Sequence, residues 1–130
     1  MKTEFEIIEK YFNKKSKKAI KGIGDDAALF EKDNKNYWAI STDTLNEKIH
    51  FLSNTDPFRL GWKAAAVNVS DILSMGASPL FALLSISLPK PNSDWLDKFS
   101  KGFFACCKKY KLELIGGDTT KGALSISVTI

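Results

Sequence analysis

The segment from Asp56 to Gly76 constrains the fold most, because it carries both a start and a stop signal for one long helix. Asp56 is a good N-cap residue, Pro57 fits the first helical turn, and Gly76 is a typical C-terminal stop. Helical spacing gathers small or polar residues on one face, namely Gly61, Ala64, Asn68, Asp71 and Met75. We expect this face to press Asp71 towards a functional site. The opposite stripe is predicted to enter the core through Trp62, Ala65, Val69 and Leu73, with Ile72 alongside.

The other elements are predicted from hydrophobic spacing and from turn residues. Residues 2–13 have helical spacing, and a second long helix is predicted to begin at Asn92 or Ser93. Its buried stripe is predicted to consist of Leu96, Phe99, Phe103, Cys106 and Tyr110. Strands are predicted at the end of the loop GIGDDAALF, at Tyr37–Thr42 (ending at Asp43), at Leu80–Leu88, at Leu112–Ile115 (ending at Gly-Gly-Asp) and in the last segment, ALSISVTI.

This last segment alternates apolar and polar residues, as a half-buried strand does. Because the chain stops there at Ile130, an apolar residue, we expect a domain or fragment of a longer protein. The order β-β-α-β-α-β-β predicts an α+β domain, in which two long helices pack on one face of a mixed β-sheet. The other face is left for a second domain or a second copy.

The net charge of +4 raises the question of nucleic-acid binding. Arginine is the residue that most often contacts base edges and binds phosphate with two hydrogen bonds. Arg59 is the only arginine among the 19 basic residues. The lysines are spread along the chain, and the densest cluster, at residues 14–21, is interpreted as a solvated face. Phosphorylated small molecules fit the charge equally well, so we expect no nucleic-acid partner.

Membrane insertion and thiol chemistry are also disfavoured. No apolar run reaches the roughly 18 residues of a membrane span, and the first residues show no secretory signal. Cys106 and Cys107 are adjacent on a predicted helix, which suits buried free thiols in a reducing cytoplasm. A structural zinc site is excluded because His50 is the only histidine.

Aspartates lie at the edges of apolar elements in four places, each beside small residues: Asp25-Asp26, Asp43, Asp71 and Asp118. Strand ends commonly present reactive groups in such folds, although an aspartate at a turn or cap is also a frequent structural feature. If these carboxylates converge, their repulsion requires a cation. Oxygen ligands without histidine or cysteine favour magnesium or manganese, and several aspartates suit more than one ion. Such an array neutralises a polyphosphate, which predicts phosphoryl transfer without an ordinary P-loop.

At these same residues the sequence resembles the thiamine-monophosphate kinase family, within the group of aminoimidazole ribonucleotide synthetase and selenophosphate synthetase. The matching stretches are GIGDDAAL, AISTDTLNEKIHF, DPFRLGWKAAAVNVSDILSMGASP, LSISLP and LIGGDTTKG. They occur in the family's order and cover nearly all of the chain after Lys21. Residues 1–21 match more loosely. STDTL with its following His-Phe, together with GGDTT, separates this family from its relatives.

The resemblance implies a cytoplasmic enzyme that transfers the γ-phosphoryl of ATP directly and in line to thiamine monophosphate. It implies magnesium binding by Asp26, Ser41, Thr42, Asp43, Asp71 and Asp118. It further implies ATP contacts by Gly117 and Asp118 and a substrate contact by His50, whose alternative is a surface histidine beside a strand. No side chain is expected to act as the catalytic base, because the attacking phosphate oxygen is already ionised.

The length departs from the family pattern. Residues 1–130 correspond to an amino-terminal ATP- and magnesium-binding domain, truncated at its end and without the carboxy-terminal domain. The resemblance implies a homodimer formed through this domain. Three alternatives stay open: a fragment that binds Mg-nucleotide or only dimerises, a sister enzyme with another substrate, and a basic nucleic-acid binder.

Overall fold

The computed structural model describes all residues from Met1 to Ile130. Three helical segments and seven strands follow one another as α1 (Glu4–Ile7) with a π-helical turn (Ile8–Phe12), β1 (Ala19–Lys21), β2 (Ala28–Asp33), β3 (Asn36–Ile40), β4 (Thr42–Asn46), α2 (Pro57–Ser74), β5 (Phe81–Leu88), α3 (Ser93–Tyr110), β6 (Glu113–Lys121) and β7 (Ser125–Thr129). The predicted α+β class with a mixed sheet and two long helices is confirmed. The first strand, β1, was not predicted. None of the helices has the length and apolar character that crossing a membrane requires.

The strands form two sheets. β1, β2 and β3 make a small antiparallel sheet, and the larger sheet has the order β4-β7-β5-β6. In the larger sheet β5 and β6 are parallel, because α3 connects them, while β7 is antiparallel to both β4 and β5. Since β7 is the last strand and lies between β4 and β5, the centre of this sheet is completed only by the end of the chain.

Helix α2 begins as the sequence predicts. The Asp56 side chain accepts a hydrogen bond from the Arg59 amide, and Pro57 is the first helical residue. At the other end, Gly76 adopts a φ of +72°, the left-handed conformation that glycine tolerates best. Two signals that local chemistry sets, the cap and the glycine stop, therefore fix the length of α2.

The small face of α2 is more buried than expected. Gly61, Ala64 and Asn68 are all buried, and only Asp71, near the end of the helix, reaches an open site. Gly61 lies against α3, where a Cβ would overlap Phe99 O, and Gly102 of α3 lies equally close to the backbone of Phe58. The two glycines therefore let the helices approach closely. The small residues of this face therefore serve helix packing, and Asp71 is the residue of the face that meets Ser41 and Asp43 at the candidate site.

The core lies between the helices and the larger sheet. Phe103 and Cys106 of α3 are buried as predicted, and so are Ile126 and Val128 of β7. On the opposite stripe of α2, Ala65 and Val69 are buried but Leu73 is 48% exposed. Both cysteines are free and buried, as expected.

Two predicted strand ends were wrong. Strand pairing is interrupted at Ser41, between β3 and β4. Asp43 therefore lies inside β4 and not at the end of a strand. The Gly-Gly-Asp sequence likewise lies within β6, which continues to Lys121 instead of ending at Ile115. In both cases pairing with a neighbouring strand extends the element through residues whose own strand propensity is low.

Candidate functional site

The candidate site centres on Asp71, in the last turn of α2. Ser41 Oγ lies 3.4 Å from Asp71 Oδ2 and 3.0 Å from the Asp26 carbonyl oxygen. Ser41 is itself fixed by two backbone hydrogen bonds with Ile130. The end of β7 therefore holds Ser41 where the loop after β1 meets α2.

Asp26 reaches the same place from that loop. Ser74 Oγ lies 3.0 Å from Asp26 Oδ2 and 2.7 Å from the Asp71 carbonyl oxygen. Asp25 is engaged elsewhere, because its carboxylate accepts from the Asp26 amide and from Lys21 Nζ. These hydrogen bonds and the Lys21 charge lower the pKa of Asp25. Sequence reasoning missed Ser74, although its position three residues after Asp71 places both on one side of the helix.

Asp43, on β4, is the third carboxylate of the cluster, beside Asp71 and Asp26. Burial raises the pKa of Asp71 above its usual range, and the neighbouring carboxylates of Asp43 and then Asp26 raise it further. The hydrogen bond from Ser41 opposes this shift, but it does not overcome it. The structure thus brings together four of the predicted residues, and burial together with the neighbouring carboxylates of Asp43 and Asp26 raises the pKa of Asp71.

The donor set fits a hard cation. No three carboxylates are arranged so that one ion could bind to all of them. Magnesium is usually held in proteins by one or two carboxylates, with water and substrate phosphates completing its shell. The Asp43–Asp71 pair with the Ser41 hydroxyl suits that arrangement, and bound positive charge would relieve the repulsion at Asp71. Metal binding by these residues stays a prediction.

Thr42 lies outside this cluster. Its hydroxyl lies 3.2 Å from the Val128 carbonyl oxygen and accepts a hydrogen bond from Thr129 Oγ1 at 2.9 Å. Side chains alternate along a strand, so Thr42 points to the face of the sheet opposite to Asp43. Its hydroxyl is therefore engaged within the sheet and not at the cluster.

Gly117 and Asp118 lie across the larger sheet from the cluster. Asp118 pairs with Ser85 of β5, Ser85 with Ser127 of β7, and Ser127 with Thr44 of β4. At a strand spacing of about 4.8 Å, the Cα atoms of Asp118 and Thr44 are about 14 Å apart. Gly117 has a φ of +152° and a Cβ there would overlap Leu84 O, so this position requires glycine. The structure does not bring Asp118 next to Asp71.

His50 lies in the turn that follows β4. Its Nδ1 accepts a hydrogen bond from the Asn46 amide at 2.9 Å, and its carbonyl oxygen accepts one from Lys63 Nζ at 2.8 Å. The side chain is exposed. Because Nδ1 is used within the turn, Nε2 is the ring atom left for a ligand. The position is compatible with substrate contact, and the role stays a prediction.

A cavity of about 500 Å³ lies elsewhere, between the β2–β3 hairpin and the start of β5. Its walls are mostly apolar and include Tyr37, Trp38, Leu80 and Phe81. None of the predicted site residues lines it. The polar cluster at Asp71, and not this cavity, is where the titratable groups interact.

Comparison with known proteins identifies related sequences and folds. The profile of the family described as AIR synthase related protein, N-terminal domain, matches residues 24–130. A thiamine-monophosphate kinase from Buchnera aphidicola subsp. Acyrthosiphon pisum (strain APS) is 53% identical over 131 residues, which cover 98% of this chain and 41% of that protein. The chain thus spans about two fifths of the length of the curated relatives that it matches.

Two solved structures have the same fold. The structure described as "AaThiL complexed with AMPPCP and TMP" is 39% identical, with a TM-score of 0.78 and coverage of 82% of this chain and 35% of that one. The thiamine-monophosphate kinase from Stenotrophomonas maltophilia K279a is 46% identical, with a TM-score of 0.71 and coverage of 87% and 36%. The similarity therefore extends over most of this chain.

Proposed function

Because this chain belongs to the family described as AIR synthase related protein, N-terminal domain, we propose that it forms part of a thiamine-monophosphate kinase. The observation that carries the proposal is the paired carboxylates of Asp43 and Asp71, with Ser41 and Asp26 beside them, in a chain so similar to proteins of that name. The reaction would move the γ-phosphoryl of ATP onto the phosphate of thiamine monophosphate.

The transfer is direct, so no side chain of the protein acts as a nucleophile. An oxygen of the thiamine monophosphate phosphate attacks the γ-phosphorus in line, and the bond from that phosphorus to the β–γ bridging oxygen breaks. ADP leaves with the electron pair, and thiamine diphosphate is the product. Both reacting groups are anionic, so positioning and positive charge are the contributions that the protein must supply.

The acidic cluster would supply that charge by holding magnesium. Asp26, Ser41, Asp43 and Asp71 would be the ligands on the side of α2, Thr42 would be a ligand from the adjacent position of β4, and Asp118 would be a ligand on β6, at the opposite edge of the sheet. When bound, several Mg²⁺ ions neutralise and align phosphate oxygens. The position of Asp118 on β6, three strands across the sheet from β4, supports more than one ion, because one ion cannot bridge the width of the sheet.

Nucleotide and substrate would occupy different ends of this surface. Gly117 and Asp118 would contact ATP from β6, where Gly117 lets the strand approach the backbone of Leu84 closely. His50 would contact the phosphate of thiamine monophosphate through Nε2. A similar structure whose description names both AMPPCP and TMP supports the two-ligand arrangement.

We further propose that residues 1–130 act as the amino-terminal ATP- and magnesium-binding domain of a cytoplasmic homodimer. Because the chain spans about two fifths of its relatives, a second candidate function is binding of Mg-nucleotide without turnover. The two candidates share the same metal site and differ only in product formation.

The test measures both binding and product. The chain is titrated with Mg-ATP by calorimetry and then incubated with ATP, Mg²⁺ and thiamine monophosphate, with thiamine diphosphate detected by chromatography. Product that depends on Asp71 supports the kinase, and binding without product supports the second candidate. Absence of both nucleotide binding and product would overturn the proposal.

A further inference from the structure

The turn that carries His50 is hydrogen-bonded to α2 through the side chain of Lys63. Lys63, in the second turn of the helix, donates from Nζ to the His50 carbonyl oxygen over 2.8 Å. None of the three ion pairs of the chain involves Lys63. Its hydrogen-bonding partner is therefore a backbone carbonyl and not a carboxylate.

The hydrogen bond from Lys63 would stabilise a turn that is closed by hydrogen bonds between Asn46 and His50. The His50 amide donates to the Asn46 carbonyl at 2.9 Å, and the Asn46 amide donates back to His50 Nδ1 at 2.9 Å. Lys48 adopts a φ of +67°, which a residue with a side chain rarely does. The turn closes with Lys48 N donating to Phe51 O at 2.7 Å. A strained turn of this kind persists only when its surroundings hold it.

Lys63 also links this turn to the acidic cluster, because Asp71 lies on the same helix. At a rise of about 1.5 Å per residue, the two residues are about 12 Å apart along the axis. Helix α2 is anchored on both sides, by Gly61 against α3 and by Asn68 Nδ2 donating to Val128 O. A rigid helix would keep the distance between His50 and Asp71 constant.

We propose that Lys63 is the positioning residue for His50, holding Nε2 of the imidazole at a fixed distance from the carboxylates around Asp71. This inference rests on the proposed function, since it assumes that His50 binds the phosphate of the acceptor substrate. Lys63 acts through the backbone of His50 and does not itself contact the phosphate. Its loss would release the turn and the hydrogen bond at Nδ1.

The single histidine makes a direct test possible. Nitrogen NMR of the full chain records whether the ring proton resides on Nε2 or exchanges between the two nitrogens. In the unmodified chain we expect the Nε2–H form. In Lys63→Met we expect both nitrogens to shift towards the averaged values of a free imidazole, and in Lys63→Arg we expect the original pattern. Lys108→Met, an exposed lysine on α3, is the matched control. An unchanged pattern in Lys63→Met would overturn the proposal.

Substrate affinity separates positioning from direct contact. With Mg²⁺ and AMPPCP present, we expect Lys63→Met to weaken binding of thiamine monophosphate about tenfold, the loss typical of one hydrogen bond. In a His50→Ala background the same change should cost less than about twofold, because the residue that Lys63 positions is gone. A full tenfold loss in that background would show direct phosphate contact and reject the proposal.

The proposed function can fail independently. If His50→Ala leaves the affinity for thiamine monophosphate unchanged, or if the unmodified chain binds none, the substrate role of His50 is wrong. A ring pattern that still depends on Lys63 would then support the positioning of His50 alone.

Discussion

Ser41 and Asp71, which are 30 residues apart in the sequence, meet where β4 begins and α2 ends, with Ser41 Oγ 3.4 Å from Asp71 Oδ2. The same hydroxyl lies 3.0 Å from the Asp26 carbonyl oxygen, so one small side chain joins three segments. This contact defines the acidic cluster on which the proposed metal site depends.

Asp71→Asn should weaken binding of Mg-ATP at least about tenfold while the chain stays folded, because the amide keeps the shape but loses the charge that attracts the cation. Asp43→Asn should have a similar effect. Calorimetric titration measures the affinity, and circular dichroism checks the fold. Asp97→Asn is the matched control, since Asp97 pairs with Lys101 on the surface of α3, away from the cluster. Equal affinity in both cluster variants would contradict the site assignment.

The raised pKa of Asp71 predicts how the metal-free stability depends on pH. A carboxyl whose pKa is higher in the folded chain binds its proton more tightly there, so its ionisation disfavours folding as the pH rises through the range in which an aspartate ordinarily titrates. Asp71→Asn should therefore raise the melting temperature at neutral pH without metal, and the gain should disappear in acid. Added Mg²⁺ should stabilise the unmodified chain more than the variant. Thermal scans at several pH values, with and without Mg²⁺, measure both effects; a variant that is less stable at neutral pH would contradict them.

Gly117→Ala should destabilise the chain by about 2 kcal/mol or more, because the new Cβ would overlap Leu84 O and the φ of +152° disfavours any side chain. Urea unfolding gives the free energy. Gly22→Ala is the control, since a Cβ at Gly22 has no heavy atom within 4 Å. If the two variants are equally stable, the close approach of β6 to β5 is not rigid.

The cysteines should be unreactive in the folded chain. Burial raises the pKa of Cys107 to about 11, and burial also raises that of Cys106. At pH 8 only about one Cys107 thiol in a thousand would be ionised, and the thiolate is the reactive form. A thiol reagent should therefore react slowly with the folded chain and rapidly with both residues after unfolding. Fast reaction without denaturant would show that α3 opens readily.

Much of the fold was predictable because local chemistry decides it. The Asp56 cap, Pro57 and Gly76 fix the ends of α2, and alternation in ALSISVTI predicts a half-buried strand. The failures occurred where a neighbouring strand overrode local preference. Asp43 and the Gly-Gly-Asp sequence were expected at strand ends, but pairing with β7 and β5 extends β4 and β6 through them.

The candidate site was predictable as a set of residue types but not as an arrangement. Aspartates beside small residues indicated oxygen ligation, and the structure places Asp26, Asp43 and Asp71 near one another. Ser74 and Lys63 were missed, because a single hydroxyl or ammonium group has no sequence pattern that distinguishes it from a solvated side chain. Asp118 lies across the sheet because the position of a strand in a sheet depends on pairings that are distant in sequence.

By itself, the sequence determined the helix ends, the strand alternation, the buried thiols and the family resemblance, since these depend on neighbouring residues or on motifs in order. Only the tertiary structure decided which carboxylates interact and which surface of α2 is free. Those depend on contacts such as Asn68 with Val128 and Gly61 with Phe99, which join distant segments. The electrostatics at Asp71 follow from that packing, because repulsion between charges depends on their distance in space and not on their separation along the chain.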